Sequence, residues 1–259
     1  MTDAWLSQLQ AFFGTRVREL ASCDDEFAIN GYKAPHLHSY WTERVQQRML
    51  NDVLLKLEPS SQRQILDVGC GTGMFLRHIA PHVAHITGVD FSEQMLTIAR
   101  RNTPPNASLL QENAAALSFE DGCFDRVLCY FVINNFLDDS FVRSVLRELV
   151  RVTRGGGFVL LGNIPDYDKR DEQAATAALA NRQLQKKLLL SRVIRRSNNF
   201  WNRRFHRVRP SLGNRFYKKD FFTSFAQEAS CDAEILPMNI EGFIYAPFRF
   251  DVRLRPLHR

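Results

Sequence analysis

Through the middle of the chain, short apolar runs alternate with amphipathic stretches. Residues 65–68, 85–89, 107–111, 126–132 and 158–162 are rich in strand-forming types, and residues 73–80, 92–102 and 139–152 between them predict helices. The repeated order strand, helix, strand implies a parallel sheet with right-handed crossovers. Ahead of it, residues 4–20 place Trp5, Leu9, Phe12, Phe13, Val17 and Leu20 near helical spacing, which predicts a cap helix. Residues 23–39 are less regular, with Asn30-Gly31 as a turn signal and Pro35 as a breaker, and a second helix is expected over 40–57. Gly155, Gly156 and Gly157 turn the chain into the fifth strand. Beyond it a long helix is expected over 166–199, then a helix over 219–229 and strands over 233–237 and 248–254.

The first strand runs into Gly69, Gly71 and Gly73, glycine at every second position, followed by a helix. Such a turn lets a ligand approach the backbone closely while the helix start offers unpaired N–H groups. The G-x-G-x-G spacing differs from the G-x-G-x-x-G of dinucleotide folds and argues against NAD. Asp90 ends the second strand about 17 residues after Gly73, where an acid holding two ribose hydroxyls belongs. Asp67, Asp90, Asn113, Tyr130 and Asn163 all fall at or near the carboxyl ends of predicted strands, the ligand-binding edge of an open parallel sheet.

ILDVGCGTG at 65–73 and GVDFSEQML at 88–96 resemble the class I S-adenosylmethionine-dependent methyltransferases. The resemblance continues through 112–114, 117–119 and 121–125, covers roughly residues 45–165, and echoes weakly over 217–254. It implies a Rossmann-like α/β fold whose seven-stranded, mostly parallel sheet ends in an antiparallel hairpin, S-adenosyl-L-methionine as cofactor, and methyl transfer as the reaction. By position it implies that the 69–73 backbone, Cys70 included, lies against the methionyl part. Asp67 either balances the methionine ammonium or orients the loop amides, and Asp90 holds the ribose. Phe91 lines the adenine face, Asn113 meets the adenine amino group, and the Ala114 N–H meets a ring nitrogen. The Tyr130 carbonyl receives the ammonium, with its side chain left open. Asn113 stands where aspartate is commoner, but its amide oxygen still accepts. The same resemblance implies that the N-terminal segment closes over the cofactor, so that Tyr40, Trp41 and Arg44 reach its methionine end.

At 259 residues, with 45% hydrophobic and 24% charged, the chain suits one well-buried domain. We expect a cap at 1–57, a cofactor-binding core at 58–165, an insertion at 166–218 and a closing segment at 219–259. The five cysteines are odd in number and form no C-x-x-C pair, which suggests a reduced compartment and no zinc. The absence of a long apolar run and of a basic leader reads as cytoplasmic.

Charge changes the picture in one place. Residues 186–219 hold about twelve Lys or Arg and no acid, enough to turn a net charge of +6 into about −6 if removed. Arg203, Arg204 and Arg207 sit among Phe200, Trp201 and Phe205 and are expected to bind an anionic acceptor at a lid. A nucleic acid or an anionic membrane surface are rival partners for the same charge. A small anionic acceptor, with a nucleotide- or lipid-linked sugar preferred, is the first functional reading. A nucleic-acid methyltransferase and a non-catalytic cofactor-binding protein are the alternatives. His36, His38, His206 and Asp166 are candidate bases for a hydroxyl acceptor, and no metal is expected.

Overall fold

A computed structural model describes residues 42–136, 138–194 and 215–257, with residues 8, 11–15, 17 and 30 of the N-terminal region. The first full element is α1, Glu43–Leu57. Thr42 caps it by accepting from the Val45 N–H, and Val45, Met49, Val53 and Leu57, one turn apart, form its buried stripe. The core follows as β1 (Gln64–Val68), α2 (Met74–Ile79), β2 (His85–Asp90), α3 (Glu93–Ala99), β3 (Ala107–Gln111), β4 (Phe124–Tyr130), α4 (Asp139–Val152) and β5 (Thr153–Pro165). The rest is α5 (Arg170–Ile194), α6 (Lys219–Glu228), β6 (Cys231–Pro237) and β7 (Arg249–Pro256).

The seven strands form one sheet in the order β3-β2-β1-β4-β5-β7-β6. β1 to β5 are parallel, and β7 runs antiparallel between β5 and β6. The expected seven-stranded, mostly parallel Rossmann-like sheet is therefore present, with its helical insertion after the fifth strand. Alternation along each strand feeds two cores. Leu66, Val127, Cys129 and Val252 pack with Val142, Leu146 and Leu149 of α4 and Phe222 and Phe225 of α6. Ile65, Leu128, Tyr130 and Leu160 pack with Met49 and Val53 of α1, Phe75 of α2, and Phe243 and Tyr245. Among the described residues no helix is long and apolar enough to cross a membrane.

Several boundaries differ from expectation for local reasons. β4 stops at Tyr130, short of 132, because Phe131 takes φ +63°, a left-handed conformation that ends a strand. β5 is longer than 158–162: Thr153 already pairs with Phe124, so the glycine triplet lies inside the strand. The helix expected from 166 begins at Arg170, because Asp166 accepts from the Asp168 N–H and starts a 3-10 turn, Tyr167–Lys169. β1 to β5 share one direction, so their carboxyl ends make a common edge, and antiparallel β7 brings its first residue to that edge beside Pro165.

Candidate active site

At the β1 carboxyl end the chain turns through Gly69, Gly71 and Gly73, all at positive φ. The turn is tight enough that an added Cβ at Gly69 falls 2.4 Å from a Val132 methyl and one at Gly71 2.3 Å from Asn30 Oδ1. The Gly69 and Cys70 N–H groups donate to the Val89 carbonyl at 2.8 and 3.0 Å, which ties the turn to the end of β2. Asp90 holds it from below. One carboxylate oxygen accepts from the Gly71 N–H and the other from the Ser92 N–H, both at 2.9 Å. Ser92 in turn caps α3.

This corrects one of the two roles expected for Asp67, the orientation of loop amides. Among the described residues the loop amide belongs to Asp90, while Asp67 Oδ2 is buried with no hydrogen-bond partner. Both acids are nearly inaccessible. Burial raises the Asp67 carboxyl to about 7, with the negative charge of Asp90 adding to the rise. Burial also raises Asp90 to about 6, against the lowering effect of its backbone hydrogen bonds. The Cys70 thiol is buried and held well above its usual range, chiefly by burial. An added Cβ on Gly88 falls 3.0 Å from its sulfur, so the side chain packs under β2 and only the Cys70 backbone belongs to the turn.

The remaining predicted residues spread along the same edge. Phe91 is half-buried and meets the edge of Phe13 at 6.1 Å between ring centroids, which brings the N-terminal region over this end of β2. Asn113 lies exposed just past β3. Its Oδ1 accepts from the Ala115 N–H at 3.0 Å and its carbonyl from Ala116, so it builds a turn around half-buried Ala114. Tyr130 is buried at the end of β4, its ring 5.0 Å from Phe75 and 5.2 Å from Phe131. The ring fits because Gly162 opposite has no side chain: a Cβ there falls 1.9 Å from the Tyr130 ring.

Asn30 carries a role its sequence position hid. It is buried, donates to Thr72 Oγ1 at 2.9 Å and accepts from the Thr72 N–H at 3.1 Å, so it pins the N-terminal region onto the glycine turn. Asp166 is less available as a base than expected, since one oxygen accepts from Asp168 and the other pairs with Lys219 at 3.1 Å. Arg44 is exposed in the first turn of α1. Tyr40, Trp41, His36, His38, His206, Arg203, Arg204 and Arg207 lie outside the described residues.

A second buried charged group meets Asn163, one of the strand-end residues expected on the ligand edge. Arg249, the first residue of β7, donates to both the carbonyl and Oδ1 of Asn163. Asn163 holds φ +59° next to a register shift between β5 and β7, and Asp251 accepts from its N–H at 2.8 Å. Burial lowers the Arg249 pKa to about 10, which leaves it charged at neutral pH.

Residues 65–157 match the family model described as a methyltransferase domain. The chain is 34% identical over 128 residues to demethylmenaquinone methyltransferase of Staphylococcus saprophyticus, covering 48% of this chain and 50% of that one. It is 33% identical over 149 residues to malonyl-[acyl-carrier protein] O-methyltransferase of Pectobacterium atrosepticum, covering 57% of each. The matches therefore span only about half the length of these curated relatives. Among solved structures, a DhpI-SAM-HEP complex superposes with a TM-score of 0.63 over 99% of this chain and 100% of that one, at 14% identity, a likeness of fold. The strand order is that of the class I S-adenosylmethionine-dependent methyltransferase fold, and residues 65–157 carry a methyltransferase domain.

Proposed function

We propose that this protein transfers the methyl group of S-adenosylmethionine to a small anionic molecule, on oxygen or nitrogen. The observation that carries the reading is the pair of buried acids, Asp67 and Asp90, beneath a glycine turn that leaves no room for side chains. These residues fit the cofactor. Asp67 Oδ2 is a buried acceptor still lacking a donor, as a carboxylate awaiting an ammonium would be. Asp90 spends one lone pair of each oxygen on a backbone N–H and keeps the others for two ribose hydroxyls. The 69–73 backbone lies along the methionyl part, and the Tyr130 carbonyl takes the ammonium beside Asp67. Phe91 covers the adenine, Ala114 offers its N–H, and Asn113 frames that turn while its oxygen retains a lone pair for the adenine amino group.

The bound cofactor supplies a methyl group already activated by a positively charged sulfur, so the protein's task is alignment of the acceptor and exclusion of water. Asn30 contributes by closing the N-terminal region over the turn. The basic run of residues 186–219 supports an anionic acceptor, because so one-sided a charge repels itself without a counter-charge. Within that class a nucleotide- or lipid-linked sugar is preferred, with Arg203, Arg204 and Arg207 among its contacts.

The test is methyl-labelled cofactor incubated with fractionated cell metabolites. Label is expected in a small, anion-exchange-retained product, and replacing Arg203, Arg204 and Arg207 together by Gln is expected to raise the acceptor KM at least tenfold. Cofactor affinity should stay within a few-fold in the same variant. Label found only in nucleic acid would favour a nucleic-acid methyltransferase, and cofactor binding without transfer to any fraction would favour a non-catalytic binder.

A further inference from the structure

Arg249 and Asn163 meet where β5 and β7 reach the ligand edge of the sheet, on the same side as Tyr130, Tyr245 and α1. Three observations set them apart. The Arg249 side chain is more than nine-tenths buried, yet among the described residues no carboxylate pairs with it; its partners are the two oxygens of Asn163. Two positions along the same face of β7, Asp251 pairs with Lys56 at 2.6 Å, and two further on Arg253 pairs with Glu58 and Glu234, both at 3.1 Å. The strand thus neutralises its other buried charges and leaves this one bare.

The unmet hydrogen bonds point the same way. Arg249 Nε is buried with no acceptor, and so is Asn163 Nδ2. An arginine can only donate, so the Asn163 atom facing it must be the oxygen, and the amide's remaining atom is a donor. Two adjacent buried donors, one on a cation, call for an acceptor that carries negative charge. The backbone around them is held in uncommon geometry: Asn163 and Phe131, on neighbouring strand ends, both have positive φ, and the Phe131 N–H donates to the Gly162 carbonyl at 3.1 Å. Such conformations persist where the surroundings enforce them, typically at ligand sites.

We propose that Arg249 and Asn163 form the oxyanion site for the methyl acceptor, binding its carboxylate or phosphate through Arg249 Nε and Asn163 Nδ2. The site lies at β5, on the far side of β4 from the acids of β1 and β2, so one ligand edge takes the cofactor at one part and the acceptor's anion at another. This deepens the proposed methyl transfer and rests on it for the word acceptor; the oxyanion site itself is testable alone.

Inorganic phosphate is the probe, titrated calorimetrically into full-length protein at constant ionic strength, with and without S-adenosylhomocysteine. Wild type is expected to bind phosphate saturably. Arg249→Gln should weaken this at least tenfold, and Arg249→Lys, which keeps the charge but loses the Nε donor, should weaken it less. Asn163→Asp, which hands the guanidinium a carboxylate, should abolish phosphate binding while raising the Tm. S-adenosylhomocysteine affinity should stay within threefold in all three variants.

Phosphate binding unchanged in Arg249→Gln or Asn163→Asp, or absent from wild type, overturns the proposal. So does a tenfold loss of S-adenosylhomocysteine affinity in Arg249→Lys, which would give the guanidinium to the cofactor's own carboxylate. If Arg249→Gln does not fold, Asn163→Asp decides, since it retains every Arg249 contact. Failure of wild type to bind S-adenosylhomocysteine counts against the methyltransferase reading and leaves the phosphate result standing.

Discussion

At the carboxyl ends of β1 and β2 two acids are buried, and the charge that acts on Asp67 is that of another acid, Asp90. At the meeting of β5 and β7 a guanidinium is buried with no acid against it among the described residues. The two regions share one sheet edge but carry opposite charge. Burying an uncompensated charge costs several kcal/mol, and protein interiors rarely tolerate it without a partner. Here neither region uses the other as its partner, and β4 stands between them in the sheet order. The difference fits two ligand groups of opposite character, a cationic or hydroxyl-bearing one over β1 and β2 and an anionic one over β5 and β7.

The comparison is sharpened first by pH. In the folded protein burial keeps the Asp67 proton up to about 7, whereas an unfolded aspartate loses it near 4. The native state thus binds more protons across that window, and stability falls as pH rises from about 4 to 7. Asp67→Asn removes this dependence, so the variant should gain about 2–3 kcal/mol more over wild type at pH 8 than at pH 5, read from urea unfolding at the two pH values. An equal effect at both would mean that the carboxyl is ordinary.

A smaller effect separates the two ends of β7. Arg253→Gln strips partners from Glu58 and Glu234 and should cost about 1–2 kcal/mol. Arg249→Met removes a charge that has no acid to lose and should cost less than that, or stabilise. A larger loss at Arg249 in the same unfolding experiment would make its guanidinium a structural pin.

The smallest expected change is at the cap. Asn30→Ala gives up two hydrogen bonds to Thr72 and should cost about 1 kcal/mol, with a several-fold weaker cofactor. Unchanged affinity would detach the N-terminal region from the acidic part of the edge.

How much of this was legible beforehand follows chain distance. The glycine turn, Asp67 and Asp90 are contiguous with the strands that present them, so spacing located them; the parallel part of the sheet followed from the alternation of its elements, and its antiparallel end from the family resemblance. Asn30 and Thr72 lie 42 positions apart and Asn163 and Arg249 lie 86 apart, and no local pattern announces such pairs. Arg249 also sits in a strand with Arg253 and Arg255, both paired with Glu234, and by composition the three are alike. Only the positions of Glu58, just past α1, and of Glu234 in β6 distinguish them. The left-handed Phe131 was equally invisible, since an aromatic residue gives no sign of positive φ.

The most direct measurement is the affinity of S-adenosylhomocysteine for wild type, Asp90→Ala and Arg249→Lys, side by side in one calorimeter. Asp90→Ala removes the acceptor of the Gly71 amide and, in the proposed function, of two ribose hydroxyls, so its affinity should fall well over tenfold, more than about 1.4 kcal/mol. Arg249→Lys should stay within threefold of wild type. Failure of wild type to bind, or equal losses in the two variants, would contradict the division of this edge into a cofactor part and an acceptor part.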